Sequence, residues 1–118
     1  MKFTPSPPAL VRAFDAAVDS LRGVERRQMF GYPAIFLRGN MVAGLVRDRM
    51  ILRLGDRDCA AFMALRGAKP FIAMRGRVMK QWVVVPPSIL KSRATLRRWL
   101  ARSLTHGRAL PPKTRQKG

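Results

Sequence analysis

The sequence predicts an α+β fold of two layers, an antiparallel sheet with helices packed on one side, and three observations point there. Segments with helical apolar spacing stand near the start, in the middle and at the end of the 118-residue chain. Between them lie short aliphatic runs bounded by Gly, Asn and Asp. The connections within each group of runs are too short for a parallel crossover, so neighbouring strands should be antiparallel.

The elements follow in order. Ser6 before Pro7 and Pro8 reads as a helix start, a hydroxyl cap followed by proline at the first helical position. Leu10, Val11, Phe14, Ala17, Val18 and Leu21 then recur at helical spacing, and Gly23 closes the helix. Val24–Phe30 has extended character, and Gly31-Tyr32-Pro33 predicts a bend or loop. Ala34–Arg38 and Met41–Arg47 flank Gly39-Asn40, a two-residue hairpin signal. Asp48-Arg49 makes a further turn before Met50–Leu54, a strand with Met50, Leu52 and Leu54 on one face and Ile51 and Arg53 on the other.

Asp56 is placed to cap a second helix over Arg57 to Leu65, its apolar side formed by Cys59, Ala60, Phe62 and Met63, with Gly67 ending it. Phe71–Met74 and Val78–Val85 read as a hairpin about Arg75-Gly76-Arg77. The unbroken Val83-Val84-Val85 run predicts a central strand buried on both sides, stopped by Pro86-Pro87. Ser92 should cap the last helix, Arg93 to Leu104, whose stripe is Leu96, Trp99, Leu100 and Leu104. Arg98 and Arg102 fall opposite that stripe and Arg97 on its flank. The expected organisation is one domain over 1–118, with its core in about 7–105 and a mobile basic tail from 106 to 118.

Charge is the most unequal property of the chain. From Cys59 to Gly118 there are fourteen Lys and Arg and neither Asp nor Glu, against a formal net charge of +18 for the whole. Such an imbalance causes self-repulsion and favours an anionic partner. Arg outnumbers Lys 18 to 6, a ratio that GC-rich coding also produces; the missing carboxylates have no such explanation. One cysteine, Cys59, permits no internal disulfide and fits a reducing, cytoplasmic setting. No apolar run approaches the roughly 18 residues of a membrane span, and Arg12, Asp15 and Asp19 interrupt the first helix, so neither membrane nor leader is expected.

Catalysis is not expected. The single His, His106, beside Gly107 in the expected tail, is not held as a general base must be. Cys59 reads as a buried structural thiol. No zinc-ligand spacing or phosphate loop is present, so no cofactor, metal or small-molecule substrate is assigned. The methionines at 29, 41, 50, 63, 74 and 79 read mainly as core filling.

Two stretches resemble the TfoX N-terminal domain family: Arg27-Gln28-Met29-Phe30-Gly31-Tyr32-Pro33, and Gly39-Asn40-Met41-Val42-Ala43-Gly44-Leu45. Pro70-Phe71, Gly76-Arg77-Val78-Met79-Lys80, Val84-Val85-Pro86-Pro87 and the Trp99 helix fit the same template, over roughly residues 10 to 105. The resemblance implies a fold like that of type III secretion chaperones, in the order α-β3-α-β2-α. Full-length TfoX proteins are regulators of natural competence that act on transcription with a cyclic-AMP receptor protein. No catalytic residue carries over.

Two working modes follow. The first is a non-enzymatic regulatory or adaptor domain that contacts another protein or a second copy of itself. The alternative is a sequence-nonspecific nucleic-acid-binding module. Its candidate residues are Arg75, Arg77 and Lys80 on the second hairpin, and Arg93, Arg97, Arg98 and Arg102 on the last helix. The i,i+4 pairs Arg93–Arg97 and Arg98–Arg102 should each destabilise the helix by about 0.2–0.5 kcal/mol, and a polyanion would relieve this. Trp82 and Tyr32 are suited to stacking on bases, although Trp82, leading into Val83–Val85, also reads as core or partner-facing.

Overall fold

Tandem prolines set the first helix. Pro7 takes the N-cap position, and its carbonyl accepts from the amides of Leu10 and Val11, so α1 spans Pro8–Asp19. Ser6 therefore lies one residue too early to cap, and its buried Oγ has no partner among the described residues. The computed structural model describes residues 4–72 and 76–113. It is α+β: a six-stranded antiparallel sheet in the order β1-β2-β3-β4-β6-β5, backed by helices.

Four strands, not three, precede the second helix: β1 (Glu25–Met29), β2 (Tyr32–Leu37), β3 (Asn40–Val46) and β4 (Arg49–Arg53). The expected bend at Gly31-Tyr32-Pro33 is a two-residue turn, Phe30-Gly31, with both residues left-handed (φ 54° and 85°). Tyr32 and Pro33 are already in β2, opposite Met29 and Gln28. Pro33 lies outside the β2–β3 register, which starts at Ala34, so its missing N–H breaks no ladder there. The next two turns sit one residue earlier than predicted, at Arg38-Gly39 and Arg47-Asp48.

Between Met41 and Ala43, β3 carries one extra residue, Val42, opposite the Ile35–Phe36 step of β2. The bulge lets Val42 and Ala43 both join the core with Ile35, Leu45, Met50 and Leu52.

The second helix, α2 (Asp56–Met63), is capped by Gly55 and ends two residues early. Asp56 is its first residue, and its carboxylate accepts from Gln81 Nε2 at 3.1 Å. Phe62 is its one fully buried side chain; Cys59 is half-buried, whereas Ala60 and Met63 are exposed. β5 (Lys69–Ile72) and β6 (Val78–Val84) form the second hairpin, with β6 inserted between β4 and β5. Val83 and Val85 face the core while Val84 is half-buried on the other side, so the triple-valine run is not buried on both sides.

Pro86-Pro87 do stop the strand, but Pro87 also opens a one-turn helix, α3 (Pro87–Leu90), missed in the sequence. Ser92 caps the last helix as expected, its Oγ accepting from the Thr95 amide at 3.3 Å. That helix, α4, runs Arg93–Ala109, five residues beyond the prediction. Its buried stripe continues through Ser103 and Gly107, whose small or polar side chains end the apolar periodicity but not the helix.

Ser103 lies within hydrogen-bond distance of two strand carbonyls, Val42 O at 2.7 Å and Arg53 O at 2.8 Å. At Gly107 an added Cβ would stand 2.6 Å from Val42 Cγ1 and 3.1 Å from Leu37 Cδ1. Helix and sheet thus touch backbone to side chain. Past the helix, residues 110–113 are not loose: the Lys113 amide donates to Arg38 O at 2.8 Å and Asn40 Nδ2 donates to Pro111 O at 2.9 Å. A side chain at Gly39 would collide with the Lys113 carbonyl oxygen.

The α4–sheet seam generates two stability expectations. Gly107→Ala should lower the unfolding free energy by about 1–3 kcal/mol through overpacking, despite alanine's higher helix propensity. Ser103→Ala, which removes the one buried hydroxyl proton shared between two carbonyls, should lower it by a similar ~1–3 kcal/mol. Urea denaturation measures both; an unchanged midpoint for either would mean that the seam is not tightly packed at that residue.

Candidate functional site

Helix α4 divides its arginines. The stripe Leu96–Leu100–Leu104 faces the sheet, so at 100° per residue Arg98 stands on the outer crest, Arg97 on one flank and Arg102 towards the other. Arg93, Arg97 and Arg98 are exposed and have no carboxylate partner among the described residues. Arg102 is engaged: it donates to Asp58 Oδ1 at 2.7 Å and lies over the Trp99 ring at 5.2 Å. On the opposite flank, Arg93 joins Arg12 and Lys91 around a shallow cleft of about 270 Å³ between α1 and the α3–α4 junction.

Of the second-hairpin candidates, Arg77 and Lys80 are exposed at the β5–β6 end of the sheet. Arg75 lies outside the described residues. The hairpin packs chiefly against β4 and α2, while α4 packs on β2, β3, β4, α1 and α3. Among the described candidates, Arg77 and Lys80 thus belong to the hairpin end of the sheet and Arg93, Arg97, Arg98 and Arg102 to α4.

His106 is not a solvated tail residue. It lies within α4, half-buried, with Nε2 3.2 Å from Gln81 Oε1. Gln81, itself left-handed (φ 71°), also accepts from Arg53 Nε at 3.4 Å and donates to Asp56. Burial, then the Arg53 charge, lowers the imidazole pKa, with Asp56 and Asp58 opposing. Cys59 shifts away from reactivity: burial first, then Asp56 and Asp58, raises its pKa. Among the described residues no three His, Cys, Asp or Glu converge as a metal site, and no helix is long and apolar enough to cross a membrane.

Two features escaped the sequence reading. The first is Phe30, 89% exposed at the β1–β2 tip. The second is the sheet face away from the helices. Ile51 pairs with Gly44 and Val84, and Arg53 with Trp82, while the alternating residues Leu52, Ala43 and Val83 face the core. On this outer face Arg27 covers the Phe36 ring at 4.5 Å and Arg49 the Phe71 ring at 5.7 Å. Arg27 is held by Glu25 at 2.8 Å. Strand alternation had already set Ile51 and Arg53 on one side; the partners across the sheet needed the register.

Residues 16–107 match the family model described as the TfoX N-terminal domain. No curated protein matches the chain.

The Gln81–His106 contact carries a pH expectation. Folding depresses the His106 pKa, so its contribution is complete above the ordinary value near 6.5 and is lost as pH falls through the depressed one. Proton NMR of this single histidine should titrate below pH ~6.5. Thermal stability should fall on acidification across that window, and His106→Gln should flatten the fall. Cys59 should react with a disulfide reagent at neutral pH more slowly than a free thiol.

Proposed function

Because the chain belongs to the TfoX N-terminal domain family, we propose that it is a non-enzymatic regulatory domain acting by contact with a partner protein. The family is regulatory in type and suggests a competence-regulator-like role. The observation that carries the reading is Phe30. Its ring is 89% exposed and its backbone sits at φ 54°, in the motif Met29-Phe30-Gly31.

Both properties are unfavourable in the isolated molecule. A left-handed non-glycine residue costs roughly 1–2 kcal/mol, and burying a phenylalanine side chain would return about 1.5–3 kcal/mol. Glycine at this position would remove the first cost, and a polar residue would avoid the second. Phenylalanine keeps both, which fits an aromatic anchor seated in a partner's pocket. Among the described residues the adjacent outer edge of β1 pairs with no other strand, and it offers backbone groups beside the anchor. A second copy of the chain is one partner of this kind.

The alternative partner is nucleic acid, favoured by the uncompensated Arg93, Arg97 and Arg98 and by the net charge of +18. Such binding would be salt-dependent, with a log–log slope of about −0.9 per duplex phosphate contacted.

Phe30→Gly separates conformation from contact. The variant should gain about 1–2 kcal/mol of stability by relieving the left-handed backbone. It should also lose a protein that the native chain captures from native lysate, with or without nuclease, or lose self-association seen by light scattering. A monomer that captures nothing, or captures equally with Phe30→Gly, would remove the protein-contact reading.

A further inference from the structure

We propose that the helix-free face of the sheet is a platform for single-stranded nucleic acid, with Phe71, Trp82 and the guanidinium of Arg49 as its stacking surfaces. The proposal rests on the nucleic-acid reading above and moves its site from α4 and the hairpin tip to the sheet.

The face is built from alternation. Helices α1, α2 and α4 all contribute to the one core cluster on the opposite side, and no helix among the described residues packs on this one. Phe36 and Ile51 are nonetheless buried, without belonging to that cluster. Long side chains of the face itself lie over neighbouring rings: Arg27 over Phe36 at 4.5 Å, Arg49 over Phe71 at 5.7 Å. Phe71 and Trp82 stay half-buried and open to solvent.

The chemistry selects the occupant. A flat ring or guanidinium plane at the surface accepts a base by stacking, a sequence-tolerant contact because every base has a π-face. The cations track phosphates: Arg49 and Lys69 have no carboxylate partner among the described residues, whereas Arg53 is engaged by Gln81. Glu25, which shares the face through its pairing with Phe36, is already held by Arg27 at 2.8 Å. An apolar protein partner would have to desolvate these cations with no carboxylate to receive them. Duplex DNA keeps its base faces inside the stack, so rings on an open sheet gain nothing from it beyond charge. Phe36 on β2 and Phe71 on β5 lie four inter-strand spacings apart in the sheet order, about 19 Å at ~4.8 Å each, room for several nucleotides.

The test is fluorescence anisotropy of a labelled oligothymidylate with the full chain, at low and moderate salt. Binding should be salt-dependent and favour the single strand over a duplex of equal length. Trp82→Leu and Arg49→Ala should each weaken it about fivefold or more, the lower end of one lost stack. The pair Arg97→Ala and Arg98→Ala should change it less than twofold. Oligonucleotide should also quench tryptophan emission, and Trp82→Leu should abolish the quench, because Trp99 is packed edge-on against Phe62 at 4.9 Å. Should Trp82→Leu fail to fold by circular dichroism, Arg49→Ala alone decides.

Binding lost with the α4 pair but unaffected by Arg49→Ala would overturn the platform and leave the nucleic-acid reading standing. A preference for duplex would do the same. Failure to bind any nucleic acid would end both. Self-association abolished by Arg49→Ala, with no oligonucleotide bound, would assign the face to a second copy instead.

Discussion

The architecture depends on how closely α4 is drawn onto the strands. Ser103 reaches into the bulge at Val42 and the end of β4 at once, and Gly107 lets the helix backbone come within side-chain contact of Val42 and Leu37. A bulged strand is what makes this docking specific, because the extra residue turns a carbonyl and a methyl group towards the helix together. With α4 seated, α1 and α2 pack beside it and the core closes around Leu10, Phe14, Phe62 and Leu100. The helices occupy one side of the sheet, so the other is left to whatever its own side chains can do.

That arrangement decides how the arginine excess is spread. Four carboxylates, Asp15, Asp19, Glu25 and Asp58, are taken up by Arg26, Arg27 and Arg102. These are exposed pairs of small energetic weight, each worth about 0–1 kcal/mol. They nonetheless use up most of the negative charge, leaving cations on the crest of α4, around the Arg12–Lys91–Arg93 cleft and across the outer sheet face. Among the described residues, positive charge is therefore not gathered on a single side. On the sheet face Arg27 and Arg49 lie over aromatic rings, as Arg102 does on α4, whereas Arg97 and Arg98 project from a helix crest.

Much of the fold was legible in the residues, and the misses have physical causes. Apolar periodicity located α1 and α4, and Gly with Asn or Asp located the hairpins to within a residue. The turns were displaced because Phe30, Arg38 and Arg47 each adopt left-handed backbone, which side-chain type does not advertise. The three-strand order of the first block was what the family resemblance implied, while the residues themselves offer four extended runs; Pro33, read as part of a bend, is harmless at the point where β3 has not yet begun to pair. The end of α4 was lost because Ser103 and Gly107 are core residues that no hydrophobic pattern records. The candidate site fared less well. Exposure of the α4 arginines follows from a helical wheel, but their place relative to the β5–β6 hairpin, and the meeting of Arg49 with Phe71, depend on strand order and register.

The clasp between the β2–β3 turn and the segment after α4 has a consequence for how the chain is made. Arg38 Nη1 donates to Arg108 O, and Asn40 to Pro111 O, across sequence separations of 70 and 71 residues. At a synthesis rate of ~5–20 residues per second, the turn is translated about 4–14 s before its partners exist. During that interval Gly39 has an empty pocket above it and the bulge at Val42 has no helix to receive. Until then neither clasp can form and α4 cannot dock, so among the described elements the last in sequence is the one that locks the first hairpins in place.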